Sequence, residues 1–140
     1  MSATGLDVFD KTLQTTNIWL KEIAEEIGPD RQRAYHALGA VLRALRDRLT
    51  IDEAAQLSAQ LPLLIRGIYF DQWRPAEQPK RVRRLDDFLA MIAEREGEGA
   101  PIDPEDAARA VFKVLERHIA RGEADQLKAV LPAEIRGLWP

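Results

Sequence analysis

Three observations predict an all-α fold. Apolar residues recur at helical spacing along most of the chain. No segment alternates with the two-residue period of a strand or is rich in β-branched residues. A Leu-Pro-x-x-Ile-Arg-Gly stretch occurs twice, as Leu61-Pro62-Leu63-Leu64-Ile65-Arg66-Gly67 and as Leu131-Pro132-Ala133-Glu134-Ile135-Arg136-Gly137. The offset, 131 − 61 = 70, is half of the 140 residues, so one folded unit is copied once rather than repeated as a short solenoid. The expected architecture is a helical bundle of two pseudo-symmetric four-helix repeats packed together. The halves are residues 1–75 and 76–140, in one compact domain.

In the first half, Leu6, Phe9, Leu13, Leu20, Ile23 and Ile27 fall close to a 3.6-residue period. They predict the inner face of one long amphipathic helix, or of two broken near Thr15-Thr16-Asn17. Gly28-Pro29 ends it, because Gly accepts a left-handed cap and Pro cannot continue the ladder. Asp30 is placed to cap a second helix with Ala34, Leu38, Val41, Leu42, Leu45 and Leu49 inward and His36, Arg43 and Asp47 on its far side. Thr50-Ile51-Asp52-Glu53 fits a capping box for a short helix packing Ile51, Ala54, Leu57 and Leu61. Pro62 opens another short helix, carrying Leu64, Ile65, Ile68 and Tyr69.

Residues 71–80, with Pro75 and Pro79 and little periodicity, read as an ordered connector. A fifth helix turns Leu85, Phe88, Leu89 and Ile92 inward, and 97–102 reads as a loop. Asp103-Pro104-Glu105-Asp106 supplies an N-cap, a Pro at the first helical position and acids at the positive end of the dipole. Ala108, Val111, Phe112, Leu115 and Ile119 line that helix, which Gly122 is expected to stop. Two short helices follow, the last opened by Pro132 and closed near Gly137.

From Ala34 to Phe70 the first half aligns without a gap with Pro104 to Pro140, with fourteen identities in thirty-seven pairs. Most identities are apolar, as a shared core demands. The polar ones are Glu53/Glu123, Gln56/Gln126 and Arg66/Arg136. A site formed once per protein need not be duplicated, so their identity in both copies points to architecture. The two Glu lie at helix starts, and the two Arg precede a Gly in a last turn, where a cation suits the exposed carbonyls. Equivalent anion sites at the two Arg are the functional alternative.

The composition is 46% hydrophobic and 31% charged, ordinary for a globular domain and wrong for a disordered one. There is no cysteine, which excludes disulfides, thiolate catalysis and Cys-ligated metal, and fits a reducing compartment. The net charge of −3 gives no global attraction to nucleic acid or acidic membranes. The first residues do not read as a signal peptide, and the longest apolar run, Leu61 to Phe70, is far short of a membrane span of about 20 residues.

Several motifs resemble, in order, the bacterial family called "domain of unknown function 2267". They are Trp19-Leu20-Lys21-Glu22-Ile23-Ala24, Ala40-Val41-Leu42-Arg43-Ala44-Leu45-Arg46-Asp47-Arg48-Leu49, Ala59-Gln60-Leu61-Pro62 with Arg66-Gly67-Ile68-Tyr69, and Trp73-Arg74-Pro75. Ala110-Val111-Phe112 and Ala129-Val130-Leu131-Pro132 continue the likeness into the second half. One departure is Gln72, where the pattern has Gly before the Trp. The resemblance implies a helical bacterial protein and carries no activity, cofactor or catalytic residue.

No constellation for chemistry stands out. The two histidines, His36 and His118, are neither repeat equivalents nor part of a ligand spacing, so no metal is expected. Ser2 and Ser58 lack a nucleophile-elbow context, and Gly97-Glu98-Gly99 is no phosphate loop. The acids sit mostly at helix starts or on exposed faces, so catalytic residues and cofactors are read as none. The one local concentration is the centre, where Arg66, Tyr69, Phe70, Trp73 and Arg74 precede Lys80, Arg81, Arg83 and Arg84. Basic and aromatic residues together grip phosphates and stack on bases. Arg66, Tyr69, Trp73, Arg74, Arg81, Arg83 and Arg84 are therefore the candidates for ligand or partner binding. The competing reading has the aromatics covering the seam between halves and the arginines solvated or paired with acids.

The function this predicts is a non-enzymatic interaction or scaffold protein of the bacterial cytoplasm, binding a protein partner or itself, with no membrane. The alternative is a binder of an anionic ligand or nucleic acid through the central segment.

Overall fold

A computed structural model describes residues 3–96 and 102–140, and every regular element among them is helical. The order is α1 Asp7–Ile27, α2 Arg31–Arg48, α3 Ile51–Ser58, α4 Leu63–Phe70, α5 Leu85–Glu96, α6 Pro104–His118, α7 Arg121–Val130 and α8 Ala133–Arg136. A 3-10 turn, Pro75–Glu77, lies in the connector. Most of the loop expected at 97–102 falls outside the described residues; Ile102 itself is buried. No helix among the described residues is long and apolar enough to cross a membrane.

The local signals mostly hold. Gly28 takes φ 117° after α1, and the Asp30 carboxylate accepts the Gln32 amide at 2.9 Å. Thr50 and Glu53 exchange both bonds of the capping box, at 2.9 and 3.1 Å. Two boundaries differ. The Asp103 side chain makes no capping bond at the start of α6. Gly122 stops nothing: α6 ends at His118, and Gly122 lies in the first turn of α7.

Helix α2 is the centre of the bundle, packed by α1, α4, α5 and α6. Its small residues Ala34, Ala37, Gly39, Ala40 and Ala44 are buried along with Leu38, Val41, Leu42 and Leu45. Beyond its first turns the helix is surrounded by neighbours and has no solvent face to keep polar, and small side chains let those neighbours approach. This overturns the expectation for Asp47, which is 5% exposed rather than on a far side. Arg43 is also largely covered, while His36 is exposed as expected.

Helix α1 is continuous, with no break at residues 15–17. Only its C-terminal half is buried: Trp19, Leu20 and Ile23 lie within the core. The other half of the expected inner face is uncovered, with Leu6 52%, Phe9 46% and Leu13 40% exposed. Ile51, also expected to pack, is 46% exposed. In both places the apolar period is real, but the neighbouring elements leave it only partly covered.

The buried half of α1 is locked to the end of α6. The Trp19 indole stacks on His118 with centroids 5.2 Å apart. Glu22 meets His118 Nε2 at 2.7 Å and Arg117 Nη1 at 3.0 Å. Partial burial alone would raise the Glu22 carboxyl, but hydrogen bonds and charge from His118 and Arg117 hold it below its ordinary 4.5. Because the folded value is depressed, this group's stabilisation is complete above pH 4.5 and is lost as the pH falls through the folded value. Glu22→Gln should cost about 1 kcal/mol near neutrality. In urea denaturation across pH, the gap from wild type should close on acidification; a gap that stays constant would show that the carboxylate charge is not what matters.

Candidate functional site

The central segment folds into a strap, residues 71–84, laid across the C-terminal end of α2. The structure separates the seven sequence-derived candidates along it. The Arg66 guanidinium donates to the Ser58 and Leu61 carbonyls, each at 2.9 Å, so it caps the end of α3 rather than its own helix. Arg136 repeats part of this, donating to the Leu131 carbonyl at 3.0 Å, beyond the end of α7. Tyr69 is fully buried, its hydroxyl donating to the Ala54 carbonyl at 2.9 Å. Burial pushes its phenol well above the usual range, so it stays neutral. Trp73 is half-buried, its ring 5.0 Å from Phe70 and its indole N–H given to Gln78.

The other four face solvent. Arg74 is exposed and lies 4.0 Å from Glu77, which is also 3.9 Å from Lys80. Arg81, Arg83 and Arg84 are exposed, and none forms an ion pair among the described residues. The strap thus bears a cationic outer edge over an aromatic inner edge that is already occupied. Between it and the body lies an open, polar cavity of about 550 Å³, lined by Asp47, Gln72, Trp73, Arg74, Glu77, Gln78, Lys80 and Arg95.

Beneath the strap is a network the sequence reading missed. Arg46 is wholly buried. Its Nε donates to Asp47 at 2.9 Å, and its Nη1 donates to the Tyr69 and Asp71 carbonyls at 2.8 and 2.9 Å. Arg43 donates to the Ile68 carbonyl at 3.0 Å, Arg48 to the Val82 carbonyl, and Arg95 of α5 pairs with Asp47. Arg43 and Arg46 therefore place cations on the orphan carbonyls where α4 ends, the negative end of its dipole. In return, the Gln78 amide donates to the Arg46 and Leu49 carbonyls at the end of α2, at 2.7 and 2.8 Å. The available signal was that Arg46 and Asp47 have no repeat counterparts, being matched to Glu116 and Arg117.

A second recess lies on the other side of α4. It is a mainly apolar groove of about 460 Å³ between α1, the start of α2 and α4, lined by Leu13, Thr16, Asn17, Leu20, Arg31, Gln32, Tyr35, Leu64 and Ile68. The Thr12 hydroxyl accepts the Leu64 amide at 2.9 Å and so fixes the start of α4 against α1. Lys21 and Arg31 stand together at an adjoining hollow beside Asn17 and Leu20. Among the described residues, no three His, Asp or Glu side chains are grouped to hold a metal ion.

Residues 16–138 match the family described as "Uncharacterized conserved protein (DUF2267)". The chain belongs to that family. Comparison with curated proteins gave no match. For this DUF2267 member the shared description carries no chemistry, and the match begins at Thr16, after the uncovered first turns of α1.

Two changes test the strap. Arg46→Ala should destabilise by about 3–5 kcal/mol, because it leaves Asp47 buried with one partner fewer and two carbonyls unpaired. Arg43→Ala, on a more exposed bond, should cost about 1 kcal/mol. Arg46→Lys should not rescue, since one ammonium cannot span a carboxylate and two carbonyls in a planar fork. Equal losses in urea denaturation for Arg43→Ala and Arg46→Ala would contradict this ranking. Gln72 occupies the left-handed region at φ 59°, where its side chain is strained and a Gly is not. Gln72→Gly should raise stability by about 1 kcal/mol, partly offset by the freer unfolded chain; a lower melting temperature would show that the Gln side chain holds the loop.

Proposed function

We propose that this chain is a non-enzymatic helical interaction protein of the bacterial cytoplasm, docking a protein partner, or itself, through the groove between α1 and α4. The single observation that carries the reading is the half-covered stripe of α1. Leu20 is 6% exposed and Ile23 wholly buried, whereas Leu6, Phe9 and Leu13 on the same face remain 40–52% exposed. Leu64, 39% exposed, and Tyr35, 44% exposed, continue that surface across the groove. Contiguous exposed apolar surface rimmed by polar groups marks interaction sites more often than isolated hydrophobes do.

The body behind the groove is proposed to be two related halves, 1–75 and 76–140, about a pseudo-twofold axis. Reciprocal pairings support this: α1 packs on α6 as α5 packs on α2, and α3 meets α7. At that meeting Gln56 donates to Gln126 at 3.0 Å and to Glu123 at 3.1 Å, both at or near repeat-equivalent positions. Such a body is a support for the groove, with Gln56 bonded to Gln126 and Glu123 at the exposed contact between α3 and α7.

A second reading has a specific observation in its favour. Arg81, Arg83 and Arg84 lie exposed beside a polar cavity that Arg74 and Trp73 line, which suits an anionic ligand or nucleic acid. Arg66 and Tyr69 would serve it only as supports, since their polar groups are already bonded.

The two readings separate by photo-crosslinking in the native bacterium, with a benzophenone amino acid at Tyr35 in one strain and at Arg84 in another. The expected result is a discrete protein adduct from Tyr35, lost on adding Leu64→Glu, with no nucleic-acid adduct from Arg84. Nucleic-acid adducts from Arg84 together with none from Tyr35 would replace the first reading by the second.

A further inference from the structure

The groove and the first turns of α1 are complementary to each other, and we infer that a second copy of this chain fills the groove. This deepens the docking reading above and rests on it. The first turns of α1 carry Phe9, 46% exposed, and Leu6, 52% exposed, with the acids Asp7 and Asp10 in the same turns. The groove presents apolar walls, Leu13, Leu20, Tyr35, Leu64 and Ile68. Its mouth is basic, with Lys21 and Arg31 beside Asn17. A helix start that is aromatic and acidic therefore meets a hollow that is apolar with a cationic rim. Neither Asp7 nor Lys21 has an ion-pair partner within the chain among the described residues.

Helix geometry makes the exchange reciprocal. At 100° per residue, Leu6, Phe9, Leu13 and Leu20 share one stripe of α1, and Asp7, Asp10, Asn17 and Lys21 lie along one flank of it. Two α1 helices crossing antiparallel with a twofold axis near Leu13 set each Phe9 against the partner copy at Asn17 and each Leu6 against Leu20. The same flank of both helices then faces itself, so the acidic start of one lies along the basic residues of the other. A twofold pair of this kind buries both uncovered stripes at once and closes without leaving a free end. A volume of about 460 Å³ is within the range of pockets that enclose a few large side chains.

Sedimentation velocity of the full chain over a dilution series tests the inference. The wild type should pass reversibly from dimer to monomer on dilution. Leu13→Glu, at a position 40% exposed in the folded chain, should weaken the dimer by at least tenfold while circular dichroism shows the helices retained. Asp7→Lys and Lys21→Glu should each weaken it severalfold, and the two together in one chain should restore it, an outcome that misfolding cannot mimic. A wild type that stays monomeric at every concentration, or a dimer indifferent to Leu13→Glu, overturns the inference. A monomeric chain that still gives a Tyr35 adduct with a different protein in cells overturns self-pairing while leaving the docking reading in place.

Discussion

The buried guanidinium of Arg46 is the constraint on which the arrangement of α2, α4 and the strap depends. A cation with no access to water is costly unless most of its donors are engaged by groups that cannot leave. Here Nε is engaged by the Asp47 carboxylate and Nη1 by the Tyr69 and Asp71 carbonyls, which ties the end of α4 and the start of the strap to α2, while Nη2 has no hydrogen-bond partner among the described residues. Asp47 in turn draws Arg95 from α5, and its own carbonyl accepts the Lys80 amide at 2.8 Å. One ion pair thereby connects α2, the connector and α5. Apolar packing supplies most of the stabilisation, but it is non-directional. The bonds around Arg46 give the ends of α2 and α4 a fixed geometry.

That network also marks the boundary of what could be read from the sequence. The helices were legible because their apolar residues keep helical spacing and their ends carry Gly28, Asp30, the Thr50–Glu53 box and Pro62. Asp47 was misplaced because a helical wheel assumes one wet face along the whole helix, and α2 has none beyond its first turns. The clue was compositional: Ala34, Ala37, Gly39, Ala40 and Ala44 are spread around the helix, as close approach on several sides requires. The carbonyl partners of Arg43, Arg46, Arg48 and Arg66 were not legible at all, since backbone acceptors leave no trace in residue identity. For the same reason the basic-aromatic centre looked richer in free binding groups than it is.

Duplication sorts the polar residues into two kinds. Those present at both repeat positions bond within the chain: Arg66 and Arg136 on carbonyls at the ends of short helices, Glu53 in a cap, and Gln56 with Gln126 at an exposed contact where α3 meets α7. The unduplicated ones belong to the strap and its anchor. The strap edge keeps Arg81, Arg83 and Arg84 in solvent, which keeps any electrostatic contribution they make dependent on ionic strength. With a net charge of −3, the chain has no background field to reinforce them.

The uncovered part of α1 is unduplicated in the same sense. Helix α1 has 21 residues and α5 has 12, so the first turns of α1 have no counterpart at the start of the second half. They are also the turns in which the apolar stripe lies open. A structural role would have favoured shortening the helix or making these positions polar, since an exposed Phe or Leu contributes little to folding and promotes association. Instead Leu6, Phe9 and Leu13 continue in phase with Leu20 and Ile23, one face running from open surface into the core. Fully burying such side chains is worth about 1.5–3 kcal/mol each, and a partner covering the remaining half of three would gain a few kcal/mol before the cost of association. That is the range of a weak, reversible contact. It fits the proposed docking surface better than an obligate interface, whose components would not stand folded alone.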